Sequence, residues 1–178
     1  MREVVCPDLF HIDAVLPELE GPDACLFCAG VSSVGRGEAE YRRITYDLTL
    51  AVAEALVRLS PAMRFLYVTG VGTDSSEKGR SMWARVKGET ENALLRLGFA
   101  GVALFRPGYI QALRGVRSKV RWYNTFYTVL SPVYPLLKRL APGYVTDSET
   151  LGRAMLAAVQ PGAPGGIYEP ADINRLGR

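Results

Sequence analysis

The sequence predicts a doubly wound α/β domain, and three observations carry that reading. Short apolar runs alternate with amphipathic helical patterns, Gly and Pro punctuate the boundaries between them, and 178 residues suit a single core. Apolar residues make up 48% and charged residues 22%, close to globular averages, which excludes disordered, collagen-like and coiled-coil classes. No internal repeat or low-complexity tract interrupts the pattern.

Taken in chain order, residues 3–5 form a short β-type run and residues 24–29 a stronger apolar strand. Residues 41–59 then place Ile44, Leu48, Val52, Ala55, Leu56 and Leu59 at three- and four-residue spacing, the signature of a helix with one buried face. Residues 64–69 and 102–106 are strands, apolar nearly throughout as strands covered on both faces are. Between them, residues 81–97 repeat the helical spacing through Val86, Ala93, Leu94 and Leu97. Thr146 and Glu149 fit a capping box that opens a helix through Leu151, Met155 and Val159, and residues 166–168 read as the last strand. Strands separated by helices call for right-handed crossovers, hence a parallel sheet with helices on both faces. Ligands of such sheets bind beyond the carboxyl ends of the strands. That rule directs attention to residues 6–10, 30–37, 69–79 and 107–112, three of which are rich in Gly or small hydroxyl side chains that let a ligand approach the backbone.

The net charge of +3 does not suggest a nucleic-acid partner, and no nucleic-acid module is visible. The distribution is uneven: no acidic residue and eight basic ones lie between Asn92 and Thr146. Three cysteines and one histidine support neither a disulfide framework nor a zinc site, so no metal is expected. Cys25 and Cys28 have redox-motif spacing but fall in an apolar strand, which makes buried thiols the expectation. An acidic, ordinary start without a secretory signal points to the cytoplasm. Residues 122–137 are free of charge but contain Asn124, Pro132 and Pro135, and fall short of the roughly 20 apolar residues that span a bilayer. Their Trp122, Tyr123, Phe126, Tyr127 and Tyr134 are flanked by Arg117, Lys119, Arg121, Lys138 and Arg139. This mixture fits a helical pair packed on the core with a basic rim, and alternatively a segment lying on an anionic membrane surface.

Lys87-Gly88-Glu89-Thr90-Glu91 on a helix, followed by a strand ending Phe105-Arg106-Pro107-Gly108, resembles the short-chain dehydrogenase/reductase superfamily. The likeness is nearest to its NAD(P)-binding, epimerase-like and atypical branch, the NAD-dependent epimerase/dehydratase family. It runs over nearly the whole chain. Val4-Val5-Cys6-Pro7-Asp8-Leu9 is similar to the family's third strand with its adenine-side Asp, residues 24–30 to the fourth strand and its glycine turn, and residues 65–69 to the fifth. The resemblance implies one NAD(P)-binding, Rossmann-like domain over residues 1–178, incomplete in its N-terminal half, with NAD or NADP as coenzyme. It further implies that Asp8 and Leu9 flank the adenine and that Cys28, Ala29 and Gly30 line the ribose side. Arg106, Pro107 and Gly108 would pass beside the nicotinamide, and Lys87 would hold the nicotinamide ribose.

Two departures from the family stand out. The family's Tyr, four residues before the Lys, is here Trp83, whose indole N–H donates hydrogen bonds but has no useful acidity near neutral pH. Thr69 is the candidate for the family's polarising hydroxyl, with Thr73 and Ser75 as alternatives, and Tyr46, Tyr67 and Tyr109 are alternative proton donors. Lys87 also admits a plainer reading, a surface lysine paired with Glu91 at i,i+4. The second departure is the glycine-rich G-x-x-G-x-x-G turn, which binds the pyrophosphate in the family and has no counterpart here; Gly35-Arg36-Gly37 and Gly70-Val71-Gly72 stand elsewhere. Without that opening strand, residues 24–29 become an apolar edge, to be covered by residues 3–5, by a second copy of the chain, or by further sequence. The expected function is that of an epimerase- or reductase-like NAD(P)-binding protein acting on a small-molecule substrate. A non-catalytic binding protein on the same fold is the alternative.

Overall fold

A computed structural model describes residues 2–113 and 143–178. The basic aromatic segment around residues 117–139, with both of its readings, lies outside the described residues. The elements in order are a 3₁₀ segment (Leu9–Leu19), β1 (Ala24–Phe27), α1 (Glu38–Arg42), a π turn (Arg43–Asp47), α2 (Leu48–Leu59), β2 (Arg64–Val68) and α3 (Met82–Leu95). There follow β3 (Gly101–Phe105), β4 (Tyr109–Gln111), β5 (Val145–Asp147), α4 (Ser148–Val159), β6 (Gly166–Tyr168) and α5 (Pro170–Leu176). Four strands form a parallel sheet in the order β1-β2-β3-β6, flanked by helices, as the alternation in the sequence predicts. The register of the first pair sets Cys25 beside Phe65 and Phe27 beside Tyr67. A separate parallel pair joins β4 to β5.

The chain divides into two compact units, the boundary cutting through β3 and β6. The first comprises Met1–Val68, Gly72–Leu104 and Pro164–Gly166; the second comprises Thr69–Val71, Phe105–Ala163 and Ile167–Arg178. The core of the first unit is built from Phe27, Val52, Leu56, Phe65, Tyr67, Leu94, Phe99 and Leu104. Phe65 is fully buried, its ring stacked 5.8 Å from Phe27 and 5.1 Å from Phe99. In the second unit Phe105 stacks on Tyr168 at 5.0 Å, and the Asn174 side-chain amide donates to the Val145 carbonyl at 3.0 Å, tying α5 to β5.

Several elements differ from the sequence expectation. Residues 3–5 are not a strand, because no neighbouring strand completes their backbone hydrogen bonds and Val5 is 74% exposed, so no burial offsets their ordering. They do not cover the sheet. β1 therefore ends the sheet among the described residues, stops at Phe27 rather than at residue 29, and leaves Leu26 41% exposed. That edge position also corrects the expectation of buried thiols: Cys28 is exposed and Cys25 only half-buried. The long helix of residues 41–59 is one helical run interrupted by the π turn, which apolar spacing does not reveal. The expected Thr146–Glu149 capping box is replaced by a single N-cap bond one residue later: Asp147 is the N-cap and accepts from the Thr150 amide at 2.8 Å, while Thr146 is a buried strand residue. Among the described residues no helix is long and apolar enough to cross a membrane.

Phe65→Ala is expected to cost about 3–5 kcal/mol of unfolding free energy, because it opens a cavity between two stacked rings. Urea denaturation followed by circular dichroism checks this, with the exposed Val34→Ala as a near-neutral reference.

Candidate functional site

In the first unit the site is organised around α3. Trp83, Lys87 and Glu91 follow one another at one-turn intervals and so share a face of the helix. Burial lowers the Lys87 pKa to about 8, and the negative charge of Glu91 opposes part of that fall. Glu91 itself is only 1% exposed, so the reading of a solvent-exposed surface pair does not hold. Thr90 is buried beside it and donates its hydroxyl to the Val86 carbonyl at 2.7 Å. From β2 comes Tyr67, whose phenol is pushed up by burial against the opposing hydrogen bonds of Thr49 and Thr90. Tyr41 is likewise pushed up by burial. A phenol so placed does not ionise near neutral pH, which counts against Tyr67 as a proton shuttle. Tyr46 is engaged differently, its ring lying 4.1 Å under the Arg42 guanidinium.

The loop after β2 is laid across this helix. The Asp74 amide donates to the Ala84 carbonyl at 3.0 Å, and the Asn92 side-chain amide donates to the Ser75 carbonyl at 2.9 Å. At Gly88 a Cβ would lie 1.8 Å from the Asp74 carbonyl oxygen, so no other residue fits there without moving the backbone. The Asp74 carboxylate turns back on its own loop, accepting from the Ser76 hydroxyl and amide and from the Gly79 amide. Those bonds, the Ser76 hydroxyl first, hold it below the usual carboxylate range. The Trp83 ring reaches Gly72, which has a φ of 87° and so favours glycine, with a ring carbon 3.4 Å from where a Cβ would stand.

Asp8 caps the 3₁₀ segment, accepting from the Phe10 amide at 3.0 Å, and lies 3.0 Å from His11 Nδ1. The Phe10 amide first, and then His11, keep its carboxyl below the ordinary value. Leu9 packs against the core from the same segment. Cys28, Ala29 and Gly30 follow β1 as an exposed stretch, with the Cys28 thiol raised by partial burial. A Cβ at Gly30 would meet nothing within 4 Å, so no described protein atom requires glycine there.

In the second unit Thr69 donates its hydroxyl to the Phe105 carbonyl at 3.1 Å. Arg106 is buried, its amide donating to the Tyr168 carbonyl at 3.0 Å and its guanidinium 3.3 Å from the Glu169 carboxylate, the N-cap of α5. The Pro107 carbonyl accepts from the Val71 amide at 2.9 Å, and a Cβ at Gly108 would stand 2.1 Å from the Tyr144 carbonyl oxygen. The Tyr109 hydroxyl donates to Gln111 at 2.9 Å. Each of the three residues Arg106, Pro107 and Gly108 thus has a structural task inside its own unit. The sequence did not reveal Glu169 as the partner of Arg106, since a contact across 63 residues leaves no local pattern.

No family model matches the chain. Among solved structures, RMD from Pseudomonas aeruginosa complexed with NADPH superposes with a TM-score of 0.67 at 19% identity, covering 94% of this chain and 65% of that one. A short-chain dehydrogenase/reductase superfamily protein from Agrobacterium tumefaciens with bound NAD gives a TM-score of 0.61 at 15% identity, covering 95% of this chain and 67% of that one. The chain has the Rossmann-like α/β fold of these structures. The enzyme WbmG from Bordetella bronchiseptica in complex with NAD superposes with a TM-score of 0.64 at 15% identity, over 93% of this chain and 56% of that one. Among curated proteins, protein HTATIP2 of Rattus norvegicus is 29% identical over 164 residues, 91% of this chain and 63% of that protein. The mitochondrial protein fmp52 of Emericella nidulans is 27% identical over 128 residues, 71% of this chain and 52% of that protein. The chain therefore spans between half and two thirds of the length of these curated relatives.

Gly88 is the residue of the Lys-Gly-Glu run with the clearest steric requirement. Gly88→Ala is expected to destabilise the protein by about 1–3 kcal/mol through overpacking, read as a lower urea midpoint. Gly30→Ala, with open space around it, is expected to leave the same midpoint unchanged.

Proposed function

We propose that this chain is the coenzyme-binding part of an NAD(P)-dependent short-chain dehydrogenase of the epimerase or reductase type, folded over residues 1–178 as one domain. The observation that carries the reading is Lys87: a partly buried ammonium on α3, one turn from the family's proton-shuttle position and charged over most of the neutral range. Its three N–H donors suit the two hydroxyls of a ribose, and its charge suits a nearby phosphate. Gly30 fits the same group, because a position that needs no glycine for the protein's own packing lets a ligand backbone pass close by. Asp8 and Leu9 supply the adenine side in this reading, and Cys28 and Ala29 the rest of the ribose wall. When bound, the coenzyme supplies hydride exchange at its nicotinamide ring. Thr69 orients the substrate's oxygen, while Arg106, Pro107 and Gly108 hold the backbone beside it. Trp83 donates a hydrogen bond or a flat surface but moves no proton.

Titration with NADH and with NADPH, read by fluorescence and thermal shift, tests the proposal; a folded protein that responds to neither removes it. Because the ammonium is the binding form, affinity is expected to be full below pH 7 and to weaken as pH rises through about 8. By pH 9 the loss is about tenfold. Lys87→Met is expected to remove both the affinity and its pH dependence.

Trp83 in place of Tyr favours a second reading, a non-catalytic binding protein on the same scaffold. Wild-type turnover of an identified substrate rules that reading out. If only the proton donor is missing, Trp83→Tyr is expected to yield turnover where the wild type shows none. We further place the protein in the cytoplasm, in keeping with three free cysteines among the described residues. The exposed edge at β1 suits a second copy of the chain, and the basic aromatic segment suits an anionic membrane surface.

A further inference from the structure

Glu91 occupies an unusual place for a carboxylate, with only 1% of its surface exposed. An ionised carboxylate taken out of water is strongly unfavourable unless an opposite charge and hydrogen bonds replace the lost solvent. Its own helix provides the cation one turn earlier, at Lys87, and the i,i+4 interval sets both side chains on one face of α3. Tyr67 of β2 feels the negative charge of Glu91, and Tyr41 of α1, Thr49 of α2 and Thr90 of α3 act on the same phenol. The nearby charges of α1, the π turn and the outer face of α3 are engaged with one another. Arg42 pairs with Asp47 and Glu89, Arg85 with Glu38, and the Arg43 guanidinium lies over Phe10.

We propose that Glu91 is a positioning residue for Lys87, a buried counter-charge that keeps the ammonium protonated and fixed on the face of α3 where the coenzyme ribose is held. The ribose half of this statement rests on the coenzyme reading given above; the charge coupling between the two side chains belongs to the chain without ligand. Burial alone drives Lys87 toward the neutral amine, and Glu91 is the group that opposes it. Replacing Glu91 by the isosteric amide keeps the shape and removes the charge. The lysine should then lose its proton at lower pH while the helix stays in place.

The chain has only four lysines, so protein labelled with ¹³C at lysine Cε gives resolved signals, and Lys87 is assigned by its absence in Lys87→Arg. Without coenzyme, the Lys87 midpoint is expected near 8 in the wild type. It should lie lower by about one pH unit or more in Glu91→Gln, a roughly tenfold smaller ratio of charged to neutral lysine at fixed pH. NADPH affinity at pH 7.5 should fall in parallel and recover at pH 6, whereas a merely structural glutamate would give a loss that acid does not restore. An unmoved midpoint in folded Glu91→Gln overturns the proposal. If that variant does not fold, Glu91→Asp carries the same measurement: its carboxylate stands one methylene farther off and should lower the midpoint by less, and no change there overturns the proposal equally. A midpoint that moves while no variant binds NADH or NADPH confirms the charge coupling and overturns the coenzyme reading instead.

Discussion

The arrangement around α3 depends on one backbone contact, the crossing of the loop after β2 over the helix at Gly88. The Asp74 carbonyl comes so close to the helix that a single methyl group at position 88 has no room. Because the loop lies there, its Asp74 amide and Ser75 carbonyl find partners on α3, and Trp83 comes to rest against Gly72. Lys87 adjoins the crossing in sequence, and its side chain is partly buried. The ion pairs on the outer surfaces of α1 and α3 contribute little by comparison, since exposed pairs are worth about 0–1 kcal/mol each.

Charge and burial work against each other on the inner face of that helix. Lys87 and Glu91 both carry charge into a region where Tyr67 and Tyr41 keep their protons because water is scarce. The two tyrosines are therefore poor substitutes for the phenol that Trp83 replaces. The two functional readings divide on whether another group supplies the proton that these phenols hold.

Much of the sheet was legible from the residues alone. The runs at residues 24–29, 64–69, 102–106 and 166–168 are apolar and short, and the helices between them repeat at helical spacing, so the existence of β1, β2, β3 and β6 and their parallel sense follow from patterning, while their order in the sheet does not. What patterning missed depends on distant partners. Tyr109–Gln111 and Val145–Asp147 are only three residues long and become strands by pairing with each other across the chain. The π turn inserts one residue's worth of slack into a helix whose apolar spacing looks continuous. Residues 3–5 look like a strand by composition and are none, since a strand is a property of two segments rather than one. At the site, the Lys87–Glu91 spacing was visible, but burial separates a solvent pair from an internal one, and the burial of Glu91 is a property of tertiary packing that spacing does not carry.

The glycines of the two runs that carry the family resemblance, Gly88 and Gly108, are each demanded by a carbonyl passing overhead, from Asp74 in one case and Tyr144 in the other. Neither demand has anything to do with turning over a substrate. A descendant of this fold that had given up chemistry altogether would still be obliged to keep both glycines, so signature matching built on them detects architecture and is blind to whether the engine runs.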